Sequence, residues 1–486
     1  MKRTFKGTIK AGLVAGAIVA MSFGAQSLFA ADSGFEFHAY ARSGFAFAPG
    51  LYLSGGQLDE HGIGRLGNEL NQNYVESELV HSNTNSDGSW AKYHVMFVFN
   101  SNKGVNNANT GTSAFPSYPG SYGANGVGDV LMRQVYAEMG GFSWDPKATY
   151  WVGERYYGRD DIHILDYFWR DMSGEGVGIT NGLNGLFDLA EVLFQGPTTT
   201  ATSANYSEQF IPFTTDLRLH LGALTPALSG LEVEAAVTYA DTANTASNGS
   251  GTSNYGIQAA LVYSPDKFFW FADGYSRLVL QYGMGDSATE WSLGTANANI
   301  GADVNAYGIR AIVFGEASNV LPNLDIMPEL TYAMFNNAGS QGNNASGAVV
   351  AQDVASHLSF VIRPVYKFTQ NLSLQLEAGF DHIFATNQLT YYGAGGNVAT
   401  GNAGVASAGF SATNYKVTLA PTLSLDSGFW GRPQLRLFWS LVGTSGAQNV
   451  YGWNGTANGT YTAGYVDANG TSTLENRFGV QFETWF

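Results

Sequence analysis

The chain of 486 residues carries 39 acidic and 23 basic side chains, a formal net charge of −16, and only 13% of its residues are charged. That balance repels nucleic-acid phosphates and argues against a nucleic-acid partner. Cysteine is absent, which excludes disulfides, thiolate metal sites and a cysteine nucleophile, while 61 glycines, 26 tyrosines and 31 phenylalanines favour strands joined by flexible polar loops.

At the start of the chain, Lys2, Arg3, Lys6 and Lys10 precede an apolar stretch from Ala11 through Ala20 and a small-residue region ending near Ala30. This is the pattern of a secretory signal peptide, 1–30, cleaved after Ala30. Ser22, Gly24, Gln26 and Ser27 interrupt the apolar run before it reaches spanning length. Residues 31–486 are then expected to form one exported domain. No later stretch reaches the roughly 18 apolar residues of a transmembrane helix.

Alternation with period two recurs along that domain. In "FEFHAYARS" Phe35, Phe37, Ala39 and Ala41 oppose Glu36, His38, Tyr40 and Arg42. "HLSFVIR" sets Leu358, Phe360 and Ile362 against Ser359 and Arg363, and "NLSLQLEAGF" sets Leu372, Leu374, Leu376 and Phe380 against Ser373, Gln375, Glu377 and Gly379. In the final "RFGVQFETWF", Phe478, Val480, Phe482 and Phe486 share one face and Gly479, Gln481, Glu483 and Trp485 the other. Periodicity alone does not choose between a soluble sandwich, whose apolar faces point inward, and a membrane barrel, which reverses them. The signal peptide, the terminal aromatic Phe486 and the rings near strand ends favour the barrel.

The connections are of two kinds. "TPALSGL", "LPNLD" and "KFTQN" are short, whereas "NTASNGSGTSNYG", "NNAGSQGNNASG", "YYGAGGNVATGNAGVASAG" and "GWNGTANGTYTAGYVDANGTS" are long and polar. A barrel with short periplasmic turns and long extracellular loops has that asymmetry, and strands of about 10 residues with connections averaging roughly 15 fit about 18 times into the domain. The expected fold is therefore an all-β, transmembrane antiparallel β-barrel.

One segment concentrates charge and rings: "YYGRDDIHILDYFWRDMSG" places Arg159, Asp160, Asp161, His163, Asp166, Arg170 and Asp171 among aromatic and aliphatic neighbours. With "FHAYARSG", "RLGNE" at Arg65, "GYSRLVLQY", "IRPVYK", "FWGRPQLRLF" and "FETWF", in collinear order, it resembles the maltoporin family of sugar-specific porins. The resemblance implies an 18-stranded outer-membrane barrel of a Gram-negative bacterium, a homotrimer, with an aromatic spiral in its lumen, lipid outside and oligosaccharides, maltodextrins or their relatives, as substrate. It needs no cofactor. A pyranose has an apolar C–H face that slides over rings and a rim of hydroxyls that exchanges hydrogen bonds with charged groups. Many weak sites allow entry and exit, where one deep site would trap the sugar.

The resemblance puts the slide on Tyr40, Tyr74, Tyr275, Trp430 and Trp485. Parity independently places Tyr40 with Arg42, and Trp485 with Glu483, on the polar face. For any single ring the alternative is an interfacial girdle or packing against an inward loop. The polar track carried over comprises Arg42, Arg65, Glu76, Arg133, Arg159, Asp161 and Asp166; its alternative role is to keep the lumen hydrated and shape a transverse field. The segment after "RYYGRDD" is implied to fold inward and narrow the pore. His163 reads as a structural residue, and with Asp161 it lacks the further ligands of a metal site.

Two departures stand out. Phe168 occupies the place of a constriction tyrosine, losing a hydroxyl hydrogen bond of about 1 kcal/mol. The tryptophan that a neighbouring subunit contributes is missing from "AFPSYPGSYGANGVGDV", where Phe115, Tyr118 or Tyr122 are the candidate substitutes. The loop disulfide of some relatives is absent. "EVLFQGP", 191–197, resembles a 3C-type protease recognition sequence; a strand entering a Gly-Pro turn is the equal alternative. The Asn-x-Ser/Thr triplets at Asn248, Asn344, Asn454, Asn458 and Asn469 follow from loop composition.

An outer-membrane enzyme is the rival class, but no G-x-S-x-G elbow or Ser/His/Asp constellation is legible. Within transport the competing function is that of a general, weakly selective porin, and among soluble proteins that of a secreted β-solenoid or lectin-like binder.

Overall fold

The computed structural model describes residues 34–48, 51–53, 61–68, 72–102, 129–193, 201–203, 206–208, 213–239, 253, 255–289, 292–296, 304–336, 355–385, 410–446 and 474–486. The signal-peptide segment, the Asn-x-Ser/Thr triplets and Phe115, Tyr118 and Tyr122 lie outside them.

Eighteen strands form the wall. In chain order they are β1 (Phe35–Ala48), β2 (Gln72–Thr84), β3 (Trp90–Asn102), β4 (Asp129–Phe142), β5 (Asp145–Arg155) and β6 (Gly174–Asn181). Then follow β7 (Phe187–Leu193), β8 (Phe213–His220), β9 (Leu231–Tyr239), β10 (Tyr255–Tyr263), β11 (Gly274–Gly285) and β12 (Tyr307–Leu321). The last six are β13 (Leu324–Asn336), β14 (Ala355–Lys367), β15 (Leu372–Ala385), β16 (Phe410–Ser424), β17 (Gln434–Gly446) and β18 (Leu474–Trp485). Each pairs antiparallel with its sequence neighbours, and β1 also pairs with β18 in the register Tyr40↔Trp485, which closes the sheet and leaves the wall without an edge. The connections alternate strictly in length, so one end carries the short turns and the other the long loops. A short turn shows how tightly that end is built: Asp145 accepts from the backbone of Leu183 and Asn184 at 2.6 and 2.9 Å, holding a turn whose Leu183 and Asn184 have φ of 49° and 62°.

Side-chain polarity is inverted relative to a soluble protein. On β9, Glu234, Ala236 and Thr238 are buried while Val237 and Tyr239 are each 49% exposed. On β15, Ser373, Gln375 and Glu377 are buried while Leu372, Leu376 and Phe380 are exposed. Backbone groups are paired within the wall, and the outward surface is aliphatic and aromatic, which makes it a lipid-facing surface. Exposed rings gather at both rims. Tyr93, Trp144, Trp270, Phe271, Tyr366, Phe368 and Phe486 lie toward the short turns, and Phe45, Phe47, Phe213, Tyr239, Tyr282 and Tyr332 toward the long loops. Leu280→Arg, in the middle of the outward face of β11, is expected to destabilise the barrel by about 2–4 kcal/mol. Urea titration of folding into bilayers checks this; an unchanged midpoint would place Leu280 away from lipid.

The alternation breaks on β11 to β14. Val279, Ile312, Phe314, Met327, Val361 and Val365 are inward yet apolar, and they pack with Ile162, Ile164, Leu165 and Trp169 of the segment between β5 and β6. These strands are apolar on both faces because one meets lipid and the other an inward-folded loop.

The first residues of "EVLFQGP", Glu191, Val192 and Leu193, are paired on both sides, with β6 and β8; residues 194–197 are outside the described set. A protease reading this motif needs an unpaired extended chain. The folded protein is therefore expected to resist a 3C-type protease and the denatured chain to be cut, as gel electrophoresis before and after unfolding checks.

Candidate functional site

Three segments from the long-loop side enter the lumen. The first, His61–Asn68, is buried from Gly62 onward and pinned to the inner wall. Leu66 N–H donates to Glu377 Oε1 at 2.8 Å, Ser359 Oγ donates to the Gly62 carbonyl at 2.8 Å, and Lys416 Nζ donates to the carbonyls of Gly64 and Leu66 and to Asn68 Oδ1. Gly64 has φ of +99°, and a Cβ there would collide with Glu377 Oε1, so the segment reaches the wall only as glycine.

The second is the hairpin Asp160–Ile162 and Tyr167–Arg170, turning through Asp166 at φ 53°. Trp169 and Arg170 have no exposed surface. Arg170 Nη2 donates to both oxygens of Asp216 at 2.6 and 2.7 Å, and its Nη1 stands 3.1 Å from Glu234. Asp160 joins Arg277 at 2.6 Å and Arg218 at 3.3 Å. Arg310 Nη2 and Gln281 Nε2 donate to the Trp169 carbonyl at 2.9 and 3.0 Å. The third segment, Ser292–Ala296, braces the hairpin: Asp171 N–H donates to the Gly294 carbonyl and Ala296 N–H to the Asp171 carbonyl, at 2.8 and 3.0 Å.

Against this scaffold the five rings expected to line the slide form one unbroken chain. Centroid separations are 6.1 Å from Tyr74 to Tyr40, 6.5 Å from Tyr40 to Trp485, 6.4 Å from Trp485 to Trp430 and 6.4 Å from Trp430 to Tyr275. Tyr74 lies toward the long-loop end of β2, and Trp430 and Tyr275 at the short-turn end, so the chain runs along the barrel. His163 backs it, with its ring 4.9 Å from Trp430 and 5.8 Å from Trp485. Burial and the nearby Arg65 guanidinium push its pKa well below that of a free imidazole, so the ring is neutral. Arg65 and Arg432 approach its two nitrogens at 3.2 and 3.4 Å, which a charged ring would repel.

The polar residues divide into two groups. Arg42 donates to Asp166 at 3.2 Å, Arg133 Nε donates to the Tyr156 hydroxyl at 2.7 Å, and Glu76 accepts from the hydroxyls of Tyr74 and Tyr156. Arg159 and Phe168 lie together, the guanidinium carbon 3.9 Å from the ring centroid, and Asp161 is exposed. Arg65, on the inward segment His61–Asn68, reaches to the wall, where it donates to Glu483 at 2.7 Å and to the Tyr40 hydroxyl at 3.4 Å.

Glu483 also receives Arg432 and Arg436 at 2.9 and 2.8 Å, and Arg363 donates to Glu377 at 2.7 Å. Sequence reasoning assigns no role to Glu483, Arg432, Arg436, Arg363, Glu377, Lys416 or Tyr156. The available signal is a charge at a polar-face position of an alternating strand, as with Glu377 and Glu483. The partners, however, come from strands and loops remote in the chain.

A closed antiparallel barrel with an apolar exterior and a charged lumen narrowed by inward loops is the architecture of an outer-membrane porin. The chain belongs to the LamB porin family, whose model matches residues 35–486. It is similar to the Maltoporin of Hahella chejuensis, 28% identical over 472 residues and 95% of each chain. The Maltoporin of Vibrio cholerae serotype O1 is 28% identical over 443 residues, 89% of this chain and 92% of the relative. Among solved structures, Acinetobacter baumannii OccAB4 aligns over 93% of this chain and 98% of its own, at 10% identity and a TM-score of 0.44. The protein resides in the outer membrane of a Gram-negative bacterium.

Proposed function

We propose that this porin carries maltodextrins or related oligosaccharides by facilitated diffusion, the sugar's apolar face moving over Tyr74, Tyr40, Trp485, Trp430 and Tyr275. The observation that supports this is the continuity of the ring chain, whose centroids follow one another at 6.1 to 6.5 Å with polar groups beside them. Arg42, Glu76, Arg133, Arg159, Asp161 and Asp166 exchange hydrogen bonds with sugar hydroxyls, Phe168 supplies apolar surface at the constriction, and Arg65 holds the slide from behind. The Maltoporin names of the relatives agree with this substrate class. The mature unit is residues 31–486 after loss of 1–30, working as a homotrimer in lipid.

Planar-bilayer conductance titrated with maltodextrins of increasing length tests the reading. Saturable block of KCl current that tightens with chain length is expected. Current that falls only with solution viscosity, without saturation, would make the protein a general, weakly selective porin.

A further inference from the structure

We propose that Tyr156, the first residue after β5, is a positioning residue that holds Arg159 as a preorganised donor in the constriction and couples it to the upper end of the ring chain; this rests on the sugar-channel reading above. The Arg159 guanidinium carbon lies 4.0 Å from the Tyr156 ring centroid and 3.9 Å from that of Phe168. The cation is thus sandwiched between two rings, each attracting it through its quadrupole. Tyr156 itself is held at three points. Its hydroxyl accepts from Arg133 Nε at 2.7 Å and donates to Glu76 Oε1 at 3.2 Å, and its N–H donates to Gln134 Oε1 at 2.7 Å. Glu76 also accepts from Tyr74, the first ring of the chain.

The charges around Arg159 explain why a clamp is needed. Asp171 Oδ2 stands 3.4 Å from its Nε, and Asp161 interacts with it through space. An arginine on a flexible stem would swing onto either carboxylate and withdraw from the channel. Stacked between two rings, it keeps its plane, and its two terminal nitrogens make no hydrogen bond among the described residues. They form a fixed fork of parallel donors, the geometry that pairs with adjacent oxygens. Phe168 suits this role without a hydroxyl, because the stack uses only its face.

The test is a double-mutant cycle in planar bilayers with Tyr156→Leu, Tyr156→Phe, Arg159→Gln and Tyr156→Leu/Arg159→Gln, read two ways: maltohexaose block, and reversal potential in a KCl gradient without sugar. Tyr156→Leu is expected to weaken block by about tenfold, within the range of coupled neighbours, and to move the reversal potential toward cation preference as Arg159→Gln does. The double variant should lose no more than Arg159→Gln alone. Tyr156→Phe, which keeps the ring, should retain the parental reversal potential. Additive losses in the cycle, or a parental reversal potential in Tyr156→Leu, would overturn the clamp. Phe168→Leu removes the opposite ring and carries the same expectation should Tyr156→Leu not assemble. If maltohexaose fails to block even the parent, the sugar reading falls, while the reversal-potential cycle still decides the clamp.

Discussion

Trp485→Ala weakens maltodextrin block about tenfold, a loss of about 1.4 kcal/mol, while sugar-free KCl conductance stays near the parental value. The expectation follows from the position of this ring. Trp485 is the cross-strand partner of Tyr40 where β1 and β18 close the barrel, and it touches Trp430 on its other side. Removing it leaves a gap in the middle of the ring chain, so a sliding sugar loses both a stacking surface and its continuity. Stacking on an aromatic side chain is worth about 1–3 kcal/mol for a nucleobase, a fair scale for a hexose face. Arg432 lies with its guanidinium carbon 3.6 Å from the Trp485 ring centroid and is tied to Glu483, so the ring is already held before a ligand arrives. Tyr74→Ala, at the end of the chain, should cost less. Block titrations of the two variants check the order; equal block in Trp485→Ala and the parent removes the slide assignment.

Arg170→Leu destabilises the protein by about 3–5 kcal/mol, because it leaves buried Asp216 without a counter-charge and Glu234 with Arg218, at 3.3 Å, as its remaining cation. Asp216 is 0% and Glu234 5% exposed, and both face Arg170. The same pairing ties the inward hairpin to β8 and β9. The variant should therefore show a lower thermal midpoint in detergent and a larger KCl conductance as the hairpin leaves its seat. The triple variant Arg170→Leu/Asp216→Leu/Glu234→Gln is expected to regain much of the stability, since the charges and not the volume set the cost. A parental midpoint in Arg170→Leu would show that the hairpin is held by its apolar contacts, the Asp160 ion pairs and the hydrogen bonds to Trp169 and Asp171 without this ion pair.

Much of the architecture is legible locally. Phe478, Gln481, Phe482 and Glu483 alternate in the chain, and in the barrel Gln481 and Glu483 are buried while Phe478 is exposed. The short connections at Thr225–Leu231, Leu321–Asp325 and Lys367–Asn371 all fall at one end, and the long polar ones at the other. The five slide residues are assigned through a family resemblance and come together as one chain. Arg65 illustrates what local reading misses. Its segment looks like an ordinary glycine-containing loop, yet Lys416, Glu377 and Ser359, each hundreds of residues away, anchor it inside the lumen. The apolar inward faces of β11 to β14 are a second case, since double-sided apolarity does not say which loop will cover it.

By itself the sequence determined the strand period, the side of each strand that is polar, and which connections are long. Those follow from near-neighbour chemistry, because a strand's two faces are set by alternate residues and a turn by its own few. Only the closed barrel decided that Tyr40 meets Trp485, that Glu483 gathers Arg65, Arg432 and Arg436, and that Arg170 finds Asp216. Each of those contacts depends on register summed around eighteen strands and on loops crossing the lumen, and no local pattern encodes that sum.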